Sequence, residues 1–359
     1  MKGVYMRLVN HKILEDFIFA VFSKTGSNNS EARCVASHLV LANLRGHDSH
    51  GVIRVPAYVD WLHKKMLHAN QHVKIITRNE SYAILDGNFG FGQVVGGEAV
   101  SLGISIAQQS GISVIALRNA GHLGCIGDFA IQAALAGLIS IHFVKSPSLL
   151  TAPFCGTDRR LSSNPIAIGI PGSLGRHLVL DMATSTIAEG KIMVAKNEGV
   201  KLPRHTILDE HGEPTEDPND FYAGSLGAIL PFGEHKGYCL SIMCDILAGA
   251  LVGSHCSGKE NLIAEKLVSG MLSIYIGPRN FVHKTDFSKE VEKLAEWVKS
   301  SPPKSAQESI LMPGEKEEIS KSGRLKKGIP LDETTINELI KTGRSVGVSF
   351  EDVMNSPRS

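Results

Sequence analysis

Residues 72–95 read HVKIITRNESYAILDGNFGFGQVV, and this stretch decides what kind of sheet the chain can build. Its first part alternates apolar and polar residues on both sides of the polar turn RNES, which is typical of a β-hairpin. The alternation predicts that Val73 and Ile75 face Tyr82 and Ile84 across the hairpin. Two antiparallel strands therefore come before any crossover helix.

The second part, NFGFGQVV (88–95), tests whether a Rossmann dinucleotide fold is present. It follows the strand-like AILD and precedes a helix predicted from about Val94 to Gln109, which is the correct context. It has Gly90 and Gly92 but Val95 at the third glycine position, and the acidic residue expected about 20 positions later is missing. The stretch therefore predicts a sheet of another type.

The segments on either side extend this pattern. Strands are predicted at ISVIALRNAGH, LISIHFV, NPIAIGIP, HLVLDMATS and MLSIYIG, and helices at FAIQAALAG and HKGYCLSIMCDILAGAL. This mixture predicts an α/β (α+β) fold with a mixed, mainly antiparallel sheet. We expect a helical N-terminal segment (1–72), a central sheet domain (73–285) and a helical C-terminal segment (286–359) that packs on the N-terminal helices. The Gly-, Pro- and acid-rich region 198–231 should be exposed.

The helices at both ends of the chain are amphipathic. HKILEDFIFAVFSKTG should end at Gly26 and SNNSEARCVASHLVLANLRG at Gly46. Near the other end, DFSKEVEKLAEWVKS and LDETTINELIKTG show the same periodicity.

Composition excludes several classes of function. The 359 residues carry a net charge of +1 and only 6% aromatic residues, which argues against a nucleic-acid-binding surface. No apolar run reaches the roughly 18 residues of a membrane span, and the N-terminus lacks the pattern of a signal peptide. The six cysteines form no CxxC pair and are expected to be buried free thiols of a cytoplasmic protein.

The connection RGHDSHGVIRVPAY (45–58) concentrates ionisable groups between two helices. Its His50 could act as an acid or base near neutrality, and Arg54 could hold a carboxylate. Pro56 cannot lie inside a helix, so we expect 46–53 to be a turn and a helix to start around Val55. Because no further ligand stands at zinc-like spacing from the HxxH pair, we predict no metal site.

Three other polar turns could contribute to the same site. NAGHLGCIGD (119–128) surrounds His122 ahead of a helix and could direct N–H groups at an anion. EHKG (234–237) puts His235 and Lys236 at the positive end of a helix dipole, and VLDMATS (179–185) ends a strand with a carboxylate. Each alone could be a structural turn, but together they predict the walls of one site.

Five blocks stand in an order that identifies a family. They are SHG (49–51), the GH of NAGH, SNPIAIGIP (163–171), LDMATS (180–185) and HKGY (235–238), with LMPGE (311–315) and KKGIPLD (326–332) further on. Over essentially the whole chain the sequence resembles the malate/L-lactate dehydrogenase family that lacks a Rossmann fold. The set GHDSHG, SIHFV, APF, EHKGY and PGE is most similar to the hydroxycarboxylate dehydrogenases of that family.

The resemblance implies a homodimer that transfers hydride between NAD, or alternatively NADP, and a small 2-hydroxycarboxylate of the malate, lactate or aryl-lactate type. By position, His50 would be the acid/base with Ser49 beside it, and His122 would lie at the reacting carbonyl. The substrate-binding residues would be Arg54, Tyr58 and Ser163. The cofactor would contact His50, Gly124, Cys125, Ile126, Val179, Leu180, Asp181, Met182, Ala183, His235, Lys236, Gly314, Glu315, Lys316 and Glu317.

Two positions depart from the family pattern. Ser163 replaces the usual threonine and keeps the hydroxyl, whereas Lys191 stands where the imine reductases are expected to have a relay aspartate. The alternatives are a cyclic-imine reductase or ureidoglycolate-type dehydrogenase of the same family, and a non-catalytic dimeric binding protein. The last would be marked by loss of His50, Lys236 or the LDMA block, and none is lost.

Overall fold

The computed structural model describes residues 6–223, 227–259, 268–305 and 308–355. Within these ranges the strands are β1 (Met6–Val9), β2 (Lys74–Arg78), β3 (Tyr82–Asp86), β4 (Ile112–Ala120), β5 (Ile139–Lys145), β6 (Ile166–Ile170), β7 (Leu178–Met182), β8 (Ile207–Leu208), β9 (Pro214–Thr215), β10 (Ala228–Ile229), β11 (Ser269–Ile276) and β12 (Ile329–Asp332).

Helices account for most of the remaining regular structure in the same ranges. They are α1 (His11–Lys24), α2 (Asn29–Leu44), α3 (Val55–His63), α4 (Gly92–Ser110), α5 (Gly127–Leu135), α6 (Glu189–Glu198), α7 (Pro218–Tyr222), α8 (His235–Asp245), α9 (Lys284–Lys299), α10 (Glu315–Lys327), α11 (Glu333–Ser345) and α12 (Phe350–Asn355). Among the described residues, none of these helices combines the length and the hydropathy needed to cross a membrane.

The main sheet has seven strands in the order β2-β3-β4-β11-β5-β6-β7. Neighbouring strands are antiparallel except β3 and β4, which are parallel. The predicted α/β fold with a mixed, mainly antiparallel sheet is confirmed. Helices α4 and α5 cover this sheet with a core that includes Phe129 and Tyr275.

The hairpin β2–β3 forms as predicted, but its pairing differs. Ile75 lies opposite Leu85, and the register shifts between Ile75 and Thr77. The prediction that Ile75 faces Tyr82 and Ile84 is therefore wrong. A β-bulge adds one residue to a strand, and apolar alternation alone does not reveal it.

The glycine-rich turn before α4 packs against the turn that carries His122. A Cβ atom on Gly92 would lie 2.3 Å from the His122 carbonyl oxygen, and one on Gly121 would lie 2.7 Å from that of Gly90. The helix starts at Gly92, two residues before the predicted start at Val94. The glycines permit a close approach of two backbones and thereby position His122.

The two ends of the chain meet in one structural unit. Strand β1 pairs with β12, and a shared apolar core joins α1, α2 and α3 to α11 and α12. Within it the rings of Phe17 and Phe350 are in edge contact at 4.9 Å. The proposed division into three segments stays a prediction.

The region 198–231 is not simply an exposed loop, and that prediction is wrong for several of its residues. Strands β8, β9 and β10 form a small sheet, and Ile207, Phe221 and Ile229 are buried in a core shared with Ile192. These strands have only two residues each, which is too short for a periodic pattern to appear in the sequence.

The prediction of buried thiols is also only partly correct. All six cysteines are free, but only Cys125 and Cys244 are buried. The other four are Cys34, Cys155, Cys239 and Cys256, and they are exposed.

Candidate active site

The segment between α2 and α3 is a rigid double turn. Two 3-10 turns, Asp48–His50 and Val52–Arg54, lead into α3, which begins at Val55 as predicted. The buried Asn43 accepts a hydrogen bond from the Val52 N–H at 2.8 Å, and Gly51 packs so closely on Asn43 that a Cβ there would lie 2.1 Å from its oxygen. These contacts fix where His50 and Arg54 emerge.

Asp48 forms an ion pair with an arginine, and no contact between it and a histidine is found among the described residues. Both of its carboxylate oxygens accept from the Arg324 guanidinium of α10, at 2.6 and 3.0 Å. This ion pair fastens the double turn to the C-terminal helices. Ser49 is buried against α6, where a Cβ on Gly190 would lie 2.4 Å from the Ser49 Cβ.

His50 and His122 lie face to face. Their ring centroids are 5.4 Å apart and their planes differ by 14°. Removal from water, each other's proximity and the Arg54 charge lower the pKa of His50 well below its ordinary value. Removal from water and Arg54 lower the pKa of His122 to about 3. Both rings are therefore neutral near pH 7, and Nδ1 of His50 has no hydrogen-bond partner among the described residues.

Tyr58 sets the tautomer of His122. The Gln93 amide nitrogen donates to the Tyr58 oxygen at 2.8 Å, and that hydroxyl lies 2.7 Å from His122 Nδ1. The buried hydroxyl proton needs an acceptor, and Nδ1 is the one it meets. The ring proton of neutral His122 consequently stands on Nε2, where it can be donated to an oxygen. Burial raises the pKa of Tyr58 to about 12, so the hydroxyl stays protonated.

Arg54 is held by two protein groups. Its Nε donates to the Ser49 carbonyl at 2.7 Å and its Nη2 to Glu189 at 3.2 Å, while the other Glu189 oxygen accepts from the Tyr222 hydroxyl at 2.9 Å. No hydrogen bond of the Arg54 Nη1 is found within the described part of the chain. Sequence reasoning missed Glu189 and considered the exposed Lys191 instead.

An open cleft with an empty volume of about 570 Å³ is lined in part by His47 and Cys125, which stand three residues from His50 and His122 in the chain. Its walls include five of the residues to which the family resemblance assigned the cofactor, and these come from three distant parts of the chain. They are Cys125, Val179, Asp181, Gly314 and Glu317. Sequence reasoning missed the other polar groups in these walls, Arg45, His47, His177 and Glu318.

The rest of the assigned set is not part of the described cleft walls, although several of these residues neighbour wall residues in the chain. Gly124 (φ +74°) and the buried Ile126 flank Cys125. Leu180 and Met182 belong to β7, and Ala183 follows it. Glu315 pairs with Lys299. His235, Lys236 and Lys316 are exposed and are not part of the cleft walls. Ser163 uses its backbone carbonyl to accept from both N and Oγ1 of Thr184, each at 2.8 Å.

Arg45 and Asp181 both lie in the cleft wall, and each is held by contacts with neighbouring residues. The Arg45 guanidinium contacts the buried Asp128 carboxylate. Asp181 accepts from the Gly127 N–H at 2.8 Å and from the Cys125 thiol at 3.3 Å. Burial raises the pKa of Asp181 and, more strongly, that of Cys125, so the thiol is protonated near pH 7.

Comparisons with known proteins agree with this architecture. The family described as malate/L-lactate dehydrogenase matches residues 9–340. Hydroxycarboxylate dehydrogenase B of Escherichia coli is 42% identical over 94% of both chains, and malate dehydrogenase of Pyrococcus abyssi is 36% identical over 97% of both. The solved structure of a putative malate/lactate dehydrogenase from E. coli superimposes with a TM-score of 0.92 at 40% identity, covering 97% of this chain and 98% of the other. The chain therefore belongs to the malate/L-lactate dehydrogenase family.

Proposed function

We propose that the chain is an NAD-dependent 2-hydroxyacid dehydrogenase that interconverts a small 2-hydroxycarboxylate, of the malate, lactate or aryl-lactate type, with its 2-oxo acid. The observation that carries this is the stacked pair of neutral imidazoles under the influence of the Arg54 charge, together with a cleft lined from three distant blocks. Such a site supplies the proton acceptor and the carboxylate-binding cation that the reaction requires.

The cleft suits a nicotinamide dinucleotide, which would accept the hydride from the substrate carbon. Backbone around Gly124, Val179 and Gly314 would hold it, and the turn 121–126 before α5 would present N–H groups to its phosphates. Carboxylates of Asp181, Glu317 and Glu318 line the cleft. Because a 2′-phosphate is negatively charged, these carboxylates support NAD over NADP.

His50 and His122 would divide the work on the substrate oxygen. In oxidation, neutral His50 would accept the hydroxyl proton while the His122 Nε2–H stabilises the developing carbonyl. Because the pKa of His50 is low, its protonated ring would be a strong acid, which suits reduction of the 2-oxo acid. Nη1 of Arg54 would hold the substrate carboxylate and orient the reacting carbon.

Two related activities would use the same groups. A cyclic-imine reductase or a ureidoglycolate-type dehydrogenase also needs a proton-transferring group and a carboxylate clamp, and substrate profiling separates these from the leading proposal. A non-catalytic binding protein of this fold would gain nothing from two uncharged, partly desolvated histidines. Homodimerisation and a cytoplasmic location remain predictions, and light scattering of the purified chain tests the former.

The direct test mixes the purified protein with NADH and a panel of 2-oxo acids. We expect at least one of them to be reduced, measured as loss of NADH absorbance, with NADPH used less well. Binding of NADH is followed in parallel by its fluorescence. Absence of both turnover and NADH binding would exclude the proposal, whereas binding without turnover would favour the non-catalytic alternative.

A further inference from the structure

Three potential metal-ligating side chains meet in the wall of the cleft. One ligand atom each of His47, Cys125 and Asp181 lies within 4.8 Å of the other two. They come from the turn after α2, the turn before α5 and strand β7. The sequence analysis predicted no metal site because it paired His47 with His50 in the HxxH motif, whereas His50 stacks on His122.

Cys125 and Asp181 are already arranged as a pair of ligands. Their Sγ and Oδ2 atoms are 3.3 Å apart, close to the separation of two ligand atoms on one tetrahedral zinc ion. The Gly127 N–H holds the carboxylate in place at 2.8 Å. A thiol–carboxylate hydrogen bond by itself would account for this pair.

That hydrogen bond does not account for the position of His47, whose ligand atom lies within 4.8 Å of the other two. Its Nε2 lies 3.7 Å from Glu317 of α10, and the side chain is 25% exposed, so it can turn towards an entering ion. In the described cleft walls the Arg45 guanidinium contacts the Asp128 carboxylate and lies 4.0 Å from Glu318, which also pairs with Lys321. Asp181 and Glu317 have no lysine or arginine partner among the described residues, so the cleft is favourable for a cation.

We infer that His47, Cys125 and Asp181 form a binding site for a thiophilic divalent cation of the zinc class. Thiolate, imidazole and carboxylate are the ligands that such ions prefer, and a three-ligand site leaves the fourth position to water. On binding, Cys125 gives its proton to solvent and coordinates as thiolate. Glu317 would orient the imidazole without coordinating.

The site has a consequence for the cofactor. Cys125 and Asp181 lie in the cleft that the proposed function gives to the dinucleotide, so metal and NADH should exclude each other. This exclusion rests on the proposed function, whereas metal binding itself does not.

The test titrates Zn²⁺ into the metal-free full chain in competition with a chromophoric chelator. We expect one strong site in the wild type, lost in Cys125→Ser and weakened about tenfold in Glu317→Gln. Cys155→Ser is the matched control because it removes an exposed thiol outside the cleft walls, and it should bind Zn²⁺ like the wild type. Co²⁺ replacing Zn²⁺ should give a thiolate charge-transfer band that Cys125→Ser lacks.

Two results would overturn the inference: equal Zn²⁺ binding by Cys125→Ser and the wild type, or loss of binding in Cys155→Ser alone. If Cys125→Ser unfolds, His47→Gln replaces it, and unchanged affinity in that variant also rejects the site. Competition between metal and cofactor is measured as weaker binding of NADH, followed by its fluorescence, in the presence of Zn²⁺. A protein that binds Zn²⁺ at this site but never NADH keeps the metal site and refutes the proposed function.

Discussion

His47 and His50 stand three residues apart in one turn, yet their surroundings carry opposite charge. His50 stacks on His122 near the Arg54 guanidinium, where positive groups and desolvation oppose its protonation. His47 lies in the open cleft with Glu317 and the Asp181 carboxylate as neighbours. Under the proposed function and the inferred metal site, these two identical side chains would have different tasks: proton transfer for His50, and contact with a cation or cofactor for His47.

One short turn therefore carries two histidines whose neighbouring charges differ in sign. The 3-10 turn Asp48–His50 begins directly after His47 and ends at His50, so the two histidines stand at its two ends. The Asp48–Arg324 ion pair and the Asn43 contacts hold that turn from outside both sites. Replacing each histidine in turn is the strongest test of this difference between them.

The largest effect is expected for His50→Gln. Loss of the proton acceptor should lower kcat by about 10²- to 10⁴-fold while NADH binding stays near the wild-type value. The matched replacement His47→Gln should act mainly on the KM for NADH. Steady-state kinetics and NADH fluorescence measure both, and His211→Gln, in an exposed loop, is the control. A comparable fall of kcat in the His47 variant would erase the distinction between the two histidines.

Arg54→Ala should have the next largest effect. The substrate carboxylate loses its cation, and Glu189 loses the arginine of its ion pair. The KM for the 2-oxo acid should therefore rise about 30-fold or more. A larger apolar group on the substrate should not rescue binding. The exposed Arg204→Ala is the control, and unchanged kinetics of Arg54→Ala would assign the carboxylate to another cation.

Glu189→Gln should change selectivity more than rate. The carboxylate matches the Arg54 charge, so its removal should favour a dianionic substrate over a monoanionic one by about tenfold in relative kcat/KM. Tyr222→Phe removes the other hydrogen bond to Glu189 but keeps the charge, and it should leave the ratio unchanged. The measurement is the ratio of kcat/KM for malate to kcat/KM for lactate. An equal change of this ratio in Glu189→Gln and Tyr222→Phe would contradict the charge argument.

The smallest effect is expected in the pH profile. A base acts in its neutral form, so activity falls when pH drops through its pKa in the free enzyme. Burial and Arg54 lower the pKa of His50 and, to about 3, that of His122. The kcat/KM for oxidation should therefore show no acid limb near pH 6.5, the ordinary histidine value, where an exposed base would show one. An acid limb at that pH would mean that the catalytic base is not in this corner.

Local patterns in the sequence were sufficient for several elements. Pro56 predicted the start of α3 at Val55, and glycines at 26 and 46 follow the first two helices, as expected. The hairpin of residues 72–87 and the failed Rossmann fingerprint predicted the mixed sheet. In each case the signal is a covalent or steric property of neighbouring residues, which a sequence displays directly.

Local patterns were enough to predict the fold class and the presence of acid/base, cation and hydroxyl groups in a few ordered blocks. The tertiary structure alone decided that His122 meets His50, that Glu189 meets Arg54 and that Cys125 meets Asp181 and His47. In the hydrogen-bonded cases, these partners are 56 residues (Cys125 and Asp181) and 135 residues (Arg54 and Glu189) apart along the chain. Their contacts depend on how layers pack and on which way a turn directs each side chain, and spacing along one chain carries no information about either.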